Sequence, residues 1–350
     1  MTTGMEIGTA TGVDTQVGAL ATDIVGTAGT GSPRSVGEVG PSLDEAATTA
    51  RDLHAALSGV LLGTPRAVTF AVVAALSGNH LLIEDVPGVG KTVLGRALAT
   101  ALGVPLSRIQ GHPDLLPSDV TGVTVFSPDT ATWDFRPGPI FGHVVLLDEL
   151  NRTPPRTQSA LLEAMEERQV SVDGQAWPLP TPHLVIGTQN PIGQLGTYPL
   201  VESQLDRFGV STSIGYPDAE VEARLVLHHG GRYALDSLTP VADPARWARA
   251  IDATAAVQVV PTVAEYAVTL VRATRTTGTV RLGASPRAAI SLIRAAQAYA
   301  VLSGRGYVTP EDIQAVAVSC LAHRLVAEGS GGDGPSLVGR ILADTPVPPT

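Results

Sequence analysis

Of the 23 basic residues in this 350-residue chain, Lys91 alone is a lysine and the rest are arginines. Surface charge and helix propensity are served by either residue, so a lone lysine points to a position that needs a compact ammonium rather than a planar guanidinium. Its neighbours say what the ammonium is for. The apolar run His80 to Glu84 leads into Asp85-Val86-Pro87-Gly88-Val89-Gly90-Lys91-Thr92, and a helical pattern follows at once. Glycines let such a loop curl so that backbone N–H groups converge on phosphate oxygens at a helix N-terminus. Lys91 would then reach the β- and γ-phosphates and the Thr92 hydroxyl would hold Mg²⁺. The usual pattern opens on glycine. Here Asp85 takes that place, and its carboxylate must point away from the anion.

A second group lies downstream. Val144 to Leu147 reads as a buried strand ending in Asp148-Glu149, which delivers two carboxylates to the carboxyl edge of a sheet, where α/β ligands bind. Asp148 would organise Mg²⁺ and Glu149 would polarise an attacking water, the two needs of phosphoryl transfer. Taken alone, the pair would equally serve to cap the following segment; the upstream phosphate loop favours the chemical role. The chain has three asparagines, Asn79, Asn151 and Asn190. Asn190 follows the strand-like run His183 to Gly187 and could hold the water or a γ-phosphate oxygen, the alternative being an ordinary Asn-Pro turn. Arg207, in Glu202-Ser203-Gln204-Leu205-Asp206-Arg207-Phe208, could serve a neighbouring subunit's nucleotide, or form a surface ion pair. Arg287, one residue into a helix opened by Ser285-Pro286, could reach a γ-phosphate from the C-terminal half.

These groups require a particular scaffold. Four short apolar runs, His80 to Glu84, Leu106 to Gln110, Val144 to Leu147 and His183 to Gly187, read as buried parallel strands, with Val210 to Ile214 as a fifth. Helical patterns alternate with them at Thr92 to Leu102 and Gln158 to Arg168, so the fold class is α/β, a parallel sheet flanked by helices. A helix begins near Ser42, and helical spacing runs from Leu53 to Leu76 with a break at Gly63-Thr64-Pro65. After Tyr216-Pro217 the strand signal disappears and an all-α region follows, with helix starts at Val263, Ser285-Pro286 and Thr309-Pro310. The expected organisation is a tail over 1–40, an α/β nucleotide-binding core over 41–216, a helical lid over 217–328 and a C-terminal tail over 329–350.

Composition bounds the function. A net charge of −10 argues against a broad nucleic-acid-binding surface. No apolar stretch is long enough to span a membrane and no secretory leader opens the chain, which makes a cytoplasmic address the expectation. Cys320, the only cysteine, lies in an apolar helical pattern and reads as core, which excludes a disulfide framework or a cysteine zinc site within one chain. The histidines show no metal-ligand spacing and read as structural or surface residues, and Trp133, Trp177 and Trp247 as packing or loop anchors.

The ordered set Glu84 to Thr92, Asp114-Leu115-Leu116-Pro117-Ser118-Asp119-Val120-Thr121-Gly122, Gly138-Pro139-Ile140-Phe141, Leu147 to Arg152, Gln158 to Glu167, Thr188-Gln189-Asn190-Pro191, Leu205-Asp206-Arg207-Phe208 and Gly283 to Arg287 resembles the MoxR family of AAA+ ATPases. The resemblance covers roughly residues 42 to 327. It implies ATP and Mg²⁺ as cofactors, an AAA+ core with a small helical lid, and a homo-oligomeric, hexameric ring with nucleotide between subunits. It assigns Lys91 and Thr92 to Walker A, Asp148 and Glu149 to Walker B, Asn190 to sensor 1, Arg207 to the arginine finger and Arg287 to sensor 2. It also implies two insertions facing the pore or a partner, around Val120 to Phe135 and a hairpin near Gln169 to Trp177. Relatives of this kind look like chaperones that remodel or activate a protein client, often with a partner carrying a von Willebrand factor A domain.

Three other readings compete. A magnesium-chelatase-type motor subunit shares the architecture, but Arg152 and the run Glu163 to Glu167 fit MoxR better. A nucleic-acid translocase would want basic residues in its pore hairpin, and Gln169 to Trp177 has none. A nucleotide-dependent scaffold without turnover would be expected to lack Glu149 or Arg207, and both are present.

Overall fold

In the computed structural model, residues 42–190, 197–227, 232–328 and 333–348 are described. The expected tail over 1–40, Pro191 and the pair His228-His229 lie outside them.

The first helix, α1 (Leu43–Val60), starts at Ser42, whose hydroxyl accepts the Glu45 N–H. Asp44 and Glu45 sit in its first turn, at the positive end of the helix dipole. Gly63, at φ 72°, breaks the chain before α2 (Pro65–Ser77), which is buried along nearly its whole length and ends at Gly78 in the left-handed region.

Five strands then build one parallel sheet: β1 (His80–Glu84), β2 (Leu106–Gln110), β5 (Val144–Asp148), β8 (Leu184–Gln189) and β9 (Phe208–Thr212), in the order β2-β5-β8-β1-β9. Their side chains alternate between two apolar layers. Leu81, Ile83, Val144, Leu146, Leu184, Ile186 and Val210 face the layer that includes α1, α2 and α3 (Lys91–Ala101). Leu82, Val145, Leu147, Val185 and Phe208 face α5 (Pro155–Glu167). Both faces of β1, β5 and β8 are covered, which is why these strands read as continuous apolar runs rather than alternating ones, whereas β2, at the sheet edge, buries only Ile109.

Short α4 (Pro117–Thr121) leads into a hairpin of β3 (Gly122–Ser127) and β4 (Thr132–Pro137). A second hairpin, β6 (Gln169–Val172) with β7 (Gln175–Pro178), turns at Asp173-Gly174, both at positive φ as a two-residue hairpin turn of the I′ type needs. The two hairpins meet where Phe135 stacks on Trp177, ring centroids 4.4 Å apart. The insert expected around Val120 to Phe135 is thus a β-hairpin ending at Pro137, with Val120 still in the short helix before it.

The C-terminal half contains α6 (Glu202–Leu205), α7 (Ala219–Leu227), α8 (Arg232–Asp236), α9 (Pro244–Ala255), α10 (Pro261–Thr276), α11 (Pro286–Leu302), α12 (Pro310–Leu321) and α13 (Gly334–Asp344). The region after 217 is helical as expected, with one short addition: β10 (Val280–Leu282) pairs antiparallel with β11 (Val326–Ala327). These strands are too short to give a periodic signal. The segment 329–350 is not simply a tail, because α13 buries Leu337, Val338 and Ile341, with Asp333 capping its start. The helical half also shares its apolar core with α1 and α2. Trp247 of α9 is fully buried and donates its indole N–H to the Ala75 carbonyl at 2.9 Å, and Cys320 is buried, its thiol pKa pushed up to about 12 by desolvation.

Candidate active site

The loop between β1 and α3 wraps an open concavity. Gly88 and Gly90 adopt φ of 87° and 101°, where a side chain would be strained, and nothing lies within 4 Å of the place a Cβ would occupy on either. Gly90 is the N-cap of α3 and provides no side-chain cap, so the first N–H groups of this helix are not taken by a capping side chain. Asp85 lies below the loop. Its Oδ1 accepts the Val86 N–H at 2.8 Å and its Oδ2 the N–H groups of Ile214 and Gly215 at 2.7 and 2.6 Å. The acid standing in the usual glycine position is therefore occupied in tying the loop to the chain beyond β9.

Lys91 Nζ donates to the Asp85 carbonyl and lies 3.5 Å from the Gln189 carbonyl. Burial lowers its pKa, opposed by the carboxylates of Asp85, Asp148 and Glu149. A partly desolvated ammonium held by carbonyls is poised for a stronger anionic partner.

Across the cavity, β5 ends at Asp148. Its Oδ1 accepts the Thr188 hydroxyl at 2.9 Å, and its Oδ2 accepts Arg108 at 2.7 Å and Thr92 Oγ1 at 3.3 Å. Glu149 is in the left-handed region at φ 54°, an uncommon backbone for a non-glycine residue, which turns the chain sharply out of the strand. Its N–H donates to Thr188 Oγ1 at 2.9 Å, and its Oε2 accepts from Arg152 at 3.0 Å and from Gln110 at 3.2 Å. Together Pro87, Gly88, Gly90, Lys91 and Thr92 from the loop, Asp148 and Glu149 from β5, and Thr188, Gln189 and Asn190 from β8 line a cavity of about 350 Å³. Asp85, Val86 and Val89 support the loop from outside that lining. An uncapped helix N-terminus, a glycine cradle with space above it, an ammonium and a hydroxyl–carboxylate pair form a donor set that fits a nucleotide triphosphate with Mg²⁺.

Comparison with known proteins gives the family. Residues 80–210 match the model of the ATPase family associated with various cellular activities (AAA), and residues 272–341 match the AAA lid domain, which takes in most of α13. The chain is 38% identical over 281 residues to Chaperone MoxR1 of Mycobacterium tuberculosis, covering 76% of this chain and 73% of that protein. It belongs to the MoxR family of AAA+ ATPases. It is also 43% identical over 296 residues to YeaC of Bacillus subtilis, an uncharacterized protein, covering 83% and 92% of the two chains. The crystal structure of a candidate ATPase from Cytophaga hutchinsonii superposes with a TM-score of 0.80 at 31% identity, covering 88% of this chain and 97% of that one. No helix among the described residues is long and apolar enough to cross a membrane.

Two of the arginines singled out in this MoxR-family sequence are not in the cavity. Arg207 Nε lies 3.3 Å from Glu166 Oε2, and Arg287 bonds the other oxygen of the same carboxylate. Both sit at the end of α5, and neither lines the loop of its own chain. Arg287, expected from the sequence to contact the nucleotide, has its guanidinium engaged by Glu166 in this structure.

Sequence reading assigned no role to four residues of this network: Arg108, Gln110, Thr188 and Glu166. Arg108 and Gln110 had a usable signal, being polar residues that flank Ile109, the one buried residue of the edge strand β2 beside the Asp148 strand. Thr188 lay inside a motif already noted, but its hydroxyl matters only because β8 lies between β1 and β5. Glu166 is one acid among several on a helix.

Proposed function

We propose that this MoxR-family protein binds ATP with Mg²⁺ in the cavity between the glycine loop and the ends of β5 and β8, hydrolyses it as part of a homo-oligomeric ring, and uses the cycle to remodel or activate a protein client. The observation that carries this is Thr188, which ties Asp148 and Glu149 into one unit opposite Lys91 and Thr92. Lys91, the loop N–H groups and Thr92 would hold the phosphates and the metal, and Asp148 would complete the metal's anchoring. Bound Mg²⁺ would supply charge neutralisation at the phosphate oxygens. Glu149 would orient and polarise the attacking water once released from Arg152 and Gln110, with Asn190 beside it. That Arg207 and Arg287 stand away from their own chain's cavity supports a role on a neighbour's nucleotide, which implies a ring. A partner with a von Willebrand factor A domain is the protein we expect beside it.

The test compares two variants. Lys91→Ala should lose ATP binding, whereas Glu149→Gln should bind ATP and not turn it over. The Glu149→Gln protein, stalled in ATP, should retain client and partner for mass spectrometry. Undiminished ATP binding by Lys91→Ala overturns the site; recovery of chelatase subunits or nucleic acid moves the function to another motor class and leaves the site standing.

A further inference from the structure

Glu166 stands in the last turn of α5, where the helix dipole disfavours a carboxylate. It is compensated from two separate parts of the chain. Arg207, between α6 and β9, approaches Oε2 at 3.3 Å, and Arg287, in the first turn of α11, bonds Oε1. The three side chains are roughly one quarter to one half exposed, so the group lies at the surface, open to a neighbouring molecule. The Arg287 hydrogen bond, then its charge and that of Arg207, hold the Glu166 carboxyl below its ordinary range, while the Arg287 guanidinium is raised.

A second set of bonds fixes the same corner. Ser285, the N-cap of α11, donates to both carboxylate oxygens of Asp206 at 2.9 and 2.8 Å. Buried Arg324 donates to the carbonyls of Asp206 and Phe208 at 3.1 and 2.9 Å. The start of α11 is thereby tied to the Asp206-Arg207 turn, so Arg207 and Arg287 move as neighbours. Two adjacent guanidinium groups repel, and Glu166 is the carboxylate that joins them.

We propose that Glu166 is a positioning residue that joins Arg207 and Arg287 into a single two-guanidinium unit, through which the core and the helical region act together on the adjoining subunit's nucleotide. The proposal rests on the reading that these arginines act in trans. Glu166 and Asp206 against Arg207, Arg287 and the buried Arg324 leave one net positive charge at this corner, the sign a triphosphate requires. Fixing Arg207 and Arg287 before the neighbour docks removes the rotamer freedom they would otherwise lose at the moment of reaction. Among the described residues, neighbouring Glu167 pairs with no arginine, and its Oε2 accepts an exposed hydrogen bond from Gln169.

The experiment measures ATP turnover, ATP binding and ring size for Glu166→Ala, Glu166→Gln, Glu166→Asp and the control Glu167→Ala. Glu166→Ala should lower kcat by about 10- to 100-fold while leaving KM and ring size unchanged, as expected for misplaced reacting groups rather than lost binding. Glu166→Asp should recover part of the loss and Glu167→Ala should show none. If the alanine variant does not fold, Glu166→Gln keeps the side-chain shape and removes the charge. Mixing Glu166→Ala with Lys91→Ala subunits should restore turnover above the sum of the two separate rings, because each intact glycine loop can then face an intact arginine pair. An Arg207→Ala ring that turns over normally defeats the trans reading itself. An inactive Arg207→Ala ring beside a Glu166→Ala ring of wild-type kcat defeats only the positioning role, as does a Glu166→Ala defect that mixing leaves unrelieved when Arg207→Ala is relieved.

Discussion

Thr188 Oγ1 donates its proton to Asp148 Oδ1 at 2.9 Å and itself accepts the N–H of Glu149 at 2.9 Å. A fully buried side chain on one strand thereby sets both the rotamer of Asp148, the carboxylate we propose for the metal, and the turn that presents Glu149, the one we propose for the water. Thr188→Val preserves the shape and removes both bonds. It should fold, bind nucleotide, require more Mg²⁺ for half-maximal turnover and lose about 10- to 100-fold in activity, the usual range for groups that orient metal ligands. Thr188→Ser should retain most of it. A Mg²⁺ titration of turnover decides the matter, since a Thr188→Val curve overlying that of wild type would reduce Thr188 to packing.

Gly187 sits on the same strand beneath the aromatic ring of Phe208. A Cβ there would stand 2.7 Å from Phe208 Cζ and 2.8 Å from Cε1, in a layer where Phe208 is fully buried. Gly187→Ala should destabilise the fold by about 1–3 kcal/mol through overpacking. Gly187→Ala with Phe208→Leu should show positive coupling, read from denaturant midpoints of the two singles and the double. Simple additivity would mean that the ring is not what the methyl meets.

Three buried histidines bear on acid stability. His80 donates through Nε2 to the Met165 carbonyl at 3.3 Å and accepts the Val185 N–H on Nδ1 at 3.1 Å, so both ring nitrogens are used by the neutral form. Burial lowers its pKa to about 3, and lowers those of His183 and His323 to about 4 and about 3. Between those values and the ordinary 6.5 the unfolded chain binds more protons than the native one, so stability is intact above about pH 6.5 and falls as the pH drops. Each histidine contributes a slope of up to about 1.4 kcal/mol per pH unit. Thermal melts at pH 7.5 and 5.5 should therefore diverge less for His323→Gln than for wild type. A native-state NMR titration with any of these rings protonating near pH 6.5 contradicts the assignment.

The readable parts of the site were the contiguous ones. Asp85 to Thr92 forms a loop whose chemistry depends on residues adjacent in the chain, and the lone lysine marked it. Asp148 and Glu149 were legible because a four-residue apolar run can end in two acids on only one edge of a buried sheet. The hairpin turn at Asp173-Gly174 was legible for the same local reason. The pair β10 and β11 and the helix α13 were not, since two or three residues carry no period and an eleven-residue helix after a glycine-rich stretch looks like the end of a chain.

What the sequence determined by itself was the α/β scaffold and the groups gathered at its sheet edge, one ammonium, one hydroxyl and two carboxylates, from which we propose a magnesium-bound triphosphate as the ligand. What only the tertiary structure decided was which side chains restrain those groups and which way the arginines face. Thr188 and Asp148 are 40 residues apart and meet because β5 and β8 are neighbours. Arg287 and Glu166 are separated by 121 residues and meet because the start of α11 is tied to the turn after α6, beside the end of α5. Strand order and helix docking come from burying apolar surface, a non-directional force spread over the whole chain, so contacts that follow from them leave no local mark in the sequence.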